Sequence, residues 1–195
     1  MPLEVTTLEG DALREALPDI ARLRIQVFRE WPYLYDGDLT YERKYLSSLA
    51  EAEGAAVVVA RDGSRIVGAA TGGPIREMEP VWAAAFEPSG IPLATTFYCA
   101  ESVLDPAYRG QGIGHRFFDL REAQARRLGM AHSCFCAVRR PEDHQAQPTG
   151  YRSLEAFWRK RGYAPLPGIV ASYAWPDVGE RTESVKMLQF WSRDL

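Results

Sequence analysis

The stretch Leu104–Gly114, LDPAYRGQGIG, decides how the chain is read. It follows Phe97–Leu104 (FYCAESVL), an apolar run that reads as a central strand covered on both faces, and Asp105-Pro106 breaks that strand. Gly110, Gly112 and Gly114 lead into a helical pattern from about Gly112 to Leu128. Its Ile113, Phe117, Leu120 and Leu128 are expected inward, with the Arg, Asp and Glu side chains outward. A strand, a glycine turn and a helix start aim successive backbone N–H groups at one point, where the helix dipole adds partial positive charge. Glycine allows left-handed angles there and lets a bulky anion approach the backbone. With Arg109, His115 and Arg116 beside it, the turn is expected to take a phosphate or pyrophosphate.

Known phosphate turns narrow the guest. No Gly-Lys-Ser/Thr follows, so the turn is not a Walker A loop. A dinucleotide fingerprint would need glycine or alanine at position 115, which is His115.

Working outward, Leu3–Leu8 reads as a first strand. A helix carries Ile20, Leu23 and Val27, with Pro18 expected in its first turn and Trp31-Pro32 beyond its end. Trp31–Asp38 (WPYLYDGD) is an aromatic loop, followed by a helix capped at Thr40 with Tyr41, Tyr45, Leu46 and Leu49 on one side. Ala55–Arg61 and Arg65–Thr71 form a hairpin about Asp62-Gly63. Gly72–Pro92 reads as loop with at most a helical turn. Ala131–Val138 is a strand, Arg139–Tyr151 a polar insertion, Ser153–Arg161 a short helix capped by Ser153, and Ile169–Trp175 and Val185–Ser192 two closing strands. The fold class is α+β, a mixed α/β sheet flanked by helices. Residues 1–195 form one domain, with the insertion at about 139–151.

Composition excludes several classes. The chain has 195 residues, 46% hydrophobic, with 23 Lys+Arg against 26 Asp+Glu, a net charge of −3 that removes the electrostatic reason to expect nucleic-acid binding. No apolar run approaches the roughly 20 residues of a membrane span. Met1–Glu4 lacks a signal-peptide pattern, and three cysteines form no disulfide framework, so a cytoplasmic location is expected. Cys134 and Cys136 share a strand face and read as buried inert thiols. His115, His132 and His144 show no ligand spacing, and no metal is expected.

The spacing that fits is Arg-x-x-Gly-x-Gly over Arg109–Gly114, after Val103-Leu104-Asp105-Pro106. It resembles the acetyl-CoA motif of the GNAT N-acetyltransferases, and Phe157-Trp158-Arg159-Lys160-Arg161-Gly162-Tyr163 is similar to a second signature of that family. The order of elements from Leu3 to Leu195 looks like the same family. The resemblance implies a GNAT-like fold with a V-shaped opening between Phe97–Leu104 and Ala131–Val138. It implies acetyl-CoA as co-substrate, its pantetheine against the backbone of Val103 and Leu104 and its pyrophosphate over Arg109, Gly110, Gln111, Gly112, Ile113, Gly114 and His115. Trp158 would complete the cofactor site, where many members have tyrosine. An indole N–H cannot deliver a proton at neutral pH, so Tyr151, Tyr163 or water is left to protonate the thiolate.

The implied activity is transfer of acetyl to a primary amine of a small molecule or protein by direct attack. The alternatives are a non-catalytic acyl-CoA-binding module and use of another acyl-CoA. Glu101 is the candidate base: regular alternation sets it on the face of Phe97, Cys99 and Val103, among apolar neighbours that would raise its pKa. The other reading is a structural carboxylate paired with arginine. Trp31, Tyr33 and Tyr35 are candidate acceptor-wall residues or core packing. The insertion reads as a lid or a solvated excursion, and Arg159-Lys160-Arg161 as a solvated face or a contact to a 3′-phosphate. Val185–Ser192 could pair with a second subunit in a homodimer.

Overall fold

The computed structural model describes residues 3–195. Its seven-stranded sheet contains β1 (Leu3–Leu8), β2 (Ala56–Asp62), β3 (Arg65–Pro74), β4 (Thr96–Leu104), β5 (His132–Arg139), β6 (Ala164–Trp175) and β7 (Ser184–Asp194), in the order β1-β2-β3-β4-β5-β7-β6. Every neighbouring pair is antiparallel except β4–β5. The mixed sheet with flanking helices agrees with the expected fold class.

The helices are α1 (Gly10–Phe28), α2 (Leu39–Glu51), α3 (Pro80–Phe86), α4 (Ile113–Arg127) and α5 (Glu155–Lys160). α1 and α2 cover one face of the sheet, where Ile20, Leu23, Leu46 and Leu49 pack on Val57, Val59 and Val103. α4 covers the other, where Ile113 and Phe117 meet Val58, Ala60 and Val67. β2 therefore alternates between two cores, and its five leading residues are all buried.

Local rules located most elements, and the exceptions have identifiable causes. Pro18 lies inside α1 rather than in its first turn, because the helix begins at Gly10, two residues after β1 ends. The cap of α2 is Asp38, not Thr40: its carboxylate accepts the Tyr41 N–H at 2.9 Å. Gly72–Pro92 is more ordered than expected, since β3 runs on to Pro74 and α3 starts at Pro80. α5 starts at Glu155, with Ser153 Oγ accepting the Glu155 N–H at 3.2 Å. β7 is no edge strand. It is hydrogen-bonded to β5 on one side and β6 on the other, so Val185–Ser192 offers no free strand to a second subunit.

Just past α4, Leu128 is exposed; on the helix, Leu120 is half-buried, and Arg121 and Glu122 are buried at 1% and 3% exposure, reversing the expected outward placement of those two charges. Each is satisfied. Arg121 donates to the carbonyls of Phe117, Thr71 and Glu101 and to Ser102 Oγ, all within 3.1 Å. Glu122 accepts the Tyr163 hydroxyl at 3.1 Å and pairs with Arg161 at 3.1 Å. A buried charge with full partners is tolerated where an unpaired one is not.

Arg161 is consequently not part of a solvated face. Its side chain is 9% exposed and also pairs with Asp119, whereas Arg159 and Lys160 are exposed. The insertion after β5 is anchored at its first residue. Arg140 makes two bonds to Asp177, at 2.7 and 2.8 Å, and donates to the carbonyls of Pro32 and Tyr33. Lys186 reaches the same carboxylate at 3.1 Å. Burial would push the Asp177 carboxyl up, but the bonds from Arg140 and Lys186 outweigh it and hold it below the ordinary carboxylate value.

Asp177→Ala leaves two buried cations facing each other and is expected to cost about 3–5 kcal/mol, read by chemical denaturation. The depressed carboxyl contributes stability that is present above its unfolded value, about pH 4. That contribution is lost as pH falls through the lower folded value, so the variant also loses part of the wild-type acid dependence.

Candidate functional site

β4 departs from regular alternation. Thr71 faces Glu101 and Gly72 faces Cys99, which leaves Ala100 without an opposing residue, a β-bulge. Before it, Phe97 and Cys99 face α4. After it, Glu101 and Val103 face α1 and α2. Glu101 therefore does not share a face with Phe97 and Cys99, as strict alternation required. Gly72 is demanded by the same feature, since a Cβ there would lie 2.6 Å from the Tyr98 carbonyl oxygen.

The bulge places Glu101 beside charge rather than among apolar groups. Its carboxylate pairs with Arg24 and accepts the Tyr45 hydroxyl at 3.0 Å. Arg24 also pairs with Glu42, and the three side chains are 8%, 0% and 6% exposed for Arg24, Glu42 and Glu101. One guanidinium thus serves two buried carboxylates. The pairing with Arg24 is the one a structural carboxylate would make, and Tyr45 links the same group to the cavity described below. Burial pushes the Tyr45 phenol well up, with the Glu101 charge adding to it, so Tyr45 stays a hydrogen-bond donor at neutral pH.

β4 and β5 pair only over Thr96–Tyr98 and His132–Cys134, then part. From Cys99 to Leu104, β4 keeps β3 on one side and has no strand partner on the other. This is the opening expected between the two strands, with the backbone of Val103 and Leu104 along it. At its end lies the glycine turn. Gly112, at φ +80°, precedes the first turn of α4, and Gly110 has φ +77°. Nothing lies within 4 Å of where a Cβ would stand on either residue. Among the described residues, no protein acceptor takes the amides of Gly110, Gln111, Gly112, Ile113 or Gly114. Five unclaimed donors around open space at a helix start are what an anionic phosphate chain fits.

The side chains of the turn are arranged less simply than expected. Arg109 pairs with Glu30 at 2.8 Å, and Gln111 turns back to the Ala107 carbonyl. His115 packs edge-on against Phe157 and accepts a contact from Arg161 at 3.3 Å. Trp158 packs on Phe135 and Trp191, on the α4 side of the sheet. Tyr163 is engaged in a buried network with Ser133, at 2.7 Å, and Glu122. Burial pushes its phenol up. Tyr151 is more exposed and lies edge-on to Trp31 at 6.0 Å.

The aromatic loop divides. Trp31 meets His144 and Tyr151 of the insertion, so loop and insertion touch. Tyr33 stacks on Trp175 and packs on Phe28, with burial pushing its phenol up. Tyr35 forms an isolated bridge to Asp177. Cys134 and Cys136 are buried in one apolar cluster, as expected of inert thiols, and burial pushes the Cys136 thiol up to about 12.

Sequence reasoning missed a cavity of about 300 Å³ between α2, the segment leading through α3, and β4. Tyr98 and Ala100, the point of strand parting and the bulge, are part of its lining. Its walls include Tyr41, Tyr45 and Trp82, with Glu77, Glu79 and Lys44 also lining it. These residues come from three distant segments. The one local signal was the Tyr41–Tyr45 spacing, two aromatic rings on successive turns of one helix.

Among the described residues, no group of three His, Cys, Asp or Glu is placed to hold a metal, and no helix is long and apolar enough to cross a membrane.

Comparisons place this geometry among known proteins. Solved structures with the same arrangement include a ribosomal-protein-alanine N-acetyltransferase from Brucella melitensis, 16% identical, with a TM-score of 0.62 and all of both chains covered. Another is yncA from Salmonella typhimurium with its cofactor acetyl-CoA, 14% identical, TM-score 0.62, covering 100% of this chain and 95% of that one. A third is the PaiA N-acetyltransferase of Thermoplasma acidophilum in complex with coenzyme A, 12% identical, TM-score 0.54, with both chains covered in full. At such identities the likeness is one of fold. No curated protein matches the sequence significantly. The family model described as acetyltransferase (GNAT) family matches residues 18–163, which takes in the bulged strand, the glycine turn and α5. The chain belongs to the GNAT family of acetyltransferases.

Proposed function

We propose that the protein is an acetyl-CoA-dependent N-acetyltransferase that acetylates a primary amine by direct attack. The observation that carries this is the pairing of the parted β4–β5 edge with the unclaimed amides of Gly110–Gly114. Acetyl-CoA supplies the thioester: the amine nitrogen forms the new C–N bond, the C–S bond breaks, and the thiolate leaves and takes a proton. Val103 and Leu104 offer backbone groups along the opening, and the turn with Arg109, Gln111 and His115 holds phosphate. Trp158 buttresses Phe135 of β5, the wall across from β4.

Glu101 acts as the base and takes the proton that the amine sheds, through water or the Tyr45 hydroxyl; the Tyr45 hydrogen bond to its carboxylate supports this. With Tyr163 locked in its network, solvent protonates the thiolate. Trp31, Tyr33 and Tyr35 shape the acceptor side from the loop.

Calorimetry with acetyl-CoA, dephospho-CoA and ADP tests the cofactor. Micromolar binding of acetyl-CoA that weakens about ten-fold without the 3′-phosphate is expected, one charged contact being worth roughly that much. Lack of acetyl-CoA binding would overturn the reading. Binding without amine-dependent thiol release would instead favour a module that senses acyl-CoA.

A further inference from the structure

Carboxylates lie at two places about the cavity beside the bulge, with aromatic walls between, and this limits what it can hold. At one, behind Tyr45, Arg24 pairs with both Glu42 and Glu101, so a largely buried cluster has one carboxylate more than it has guanidinium partners. At the other, on the wall itself, stand Glu79 and Glu77, against Lys44 as the one cation on the wall among the described residues. Two tyrosines a helical turn apart connect the two. Tyr45 donates to Glu101 at 3.0 Å. Tyr41 shares a hydrogen bond of 2.9 Å with Tyr173, which donates to Glu79 at 3.1 Å. Their rings are nearly parallel, with centroids 6.5 Å apart. Trp82, which lines the cavity, lies nearly parallel to both Tyr98, at 5.6 Å, and Tyr173, at 5.3 Å.

Aromatic faces attract cations, and a desolvated excess of negative charge is relieved by a cation and worsened by an anion. From this, and resting on the acetyl-transfer reading above, we propose that the acceptor is an aliphatic dication. One ammonium is presented at the bulge near Glu101, and a second positive charge is held at Glu79. A short α,ω-diamine is the simplest molecule that carries two such charges. An amino acid of equal length would place its carboxylate against Glu79 or against the buried carboxylates, and is rejected either way.

Equilibrium binding tests this independently of turnover. The protein, with and without saturating CoA, is titrated by calorimetry with 1,4-diaminobutane, n-butylamine and 4-aminobutyrate. The diamine is expected to bind about ten-fold tighter than the monoamine, with 4-aminobutyrate weaker than both. Glu79→Gln brings the diamine to within about three-fold of the monoamine, and Trp82→Leu weakens both cations; each variant's thermal melt verifies that it folds. Equal affinity for diamine and monoamine, preference for 4-aminobutyrate, or no diamine binding at millimolar concentration would overturn the inference. CoA binding without this discrimination sinks the inference alone. Discrimination without CoA binding sinks the cofactor reading alone.

Discussion

Gly112→Glu is expected to lower acetyl-CoA affinity by at least about 100-fold, or some 3 kcal/mol, while leaving the protein folded. The carboxylate enters the space bounded by the amides of Gly110–Gly114, where nothing lies within 4 Å of a new Cβ. It both fills the phosphate's place and meets it with like charge. Two effects need separating, because Gly112 has φ +80° and any side chain strains the backbone by about 1–2 kcal/mol. Gly112→Ala carries that strain without the charge. It is expected to lose only a few degrees of melting temperature and less than about ten-fold in affinity. Calorimetry on the two variants decides the matter. If Gly112→Glu binds acetyl-CoA as the wild type does, the turn is no more than a tight junction between strand and helix.

Glu101→Gln is expected to reduce kcat by about 100-fold or more, with acetyl-CoA affinity changed by less than about three-fold. The glutamine carbonyl still accepts the Tyr45 hydroxyl, and Arg24 retains Glu42, so the local scaffold survives. What is lost is a group able to take a proton. A base also leaves its mark on the acid side of the pH–rate profile, and the variant should lose that limb. A variant with lower kcat but an unaltered profile would show Glu101 acting only as the anchor of Arg24. The profile, not the rate alone, distinguishes the two roles.

Features fixed by neighbours in the sequence were legible in it. The Asp62-Gly63 hairpin, the strand break at Asp105-Pro106 and the glycine turn are each decided within a few residues, and the structure contains all three. The bulge at Ala100 is not local. It depends on how β3 pairs across from it, and Glu101 therefore faces Arg24 and Tyr45 instead of the apolar side of Cys99. Arg121 and Glu122 read as solvent-facing because charge usually is, yet their partners come from β3, β4 and the residues after α5. β7 lies between β5 and β6 through the long β6–β7 hairpin, whose pairing outweighs chain order. The cavity needed three distant segments to meet, and only the tyrosine spacing on α2 hinted at it.

The short β4–β5 contact has a mechanical consequence. Three residue pairs join a four-stranded half of the sheet to a three-stranded half, and beyond Tyr98 the ladder lacks its rungs. Arg121 caps the Glu101 carbonyl at the start of that gap and Arg109 reaches the Leu104 carbonyl at its end, but no strand pairs with the edge between them. A ligand that offers amides along the edge would supply the missing rungs and tie the halves together. The molecule's resistance to unfolding would then rise with the concentration of that ligand, so that an empty copy and a loaded one differ in cohesion as well as in readiness to react.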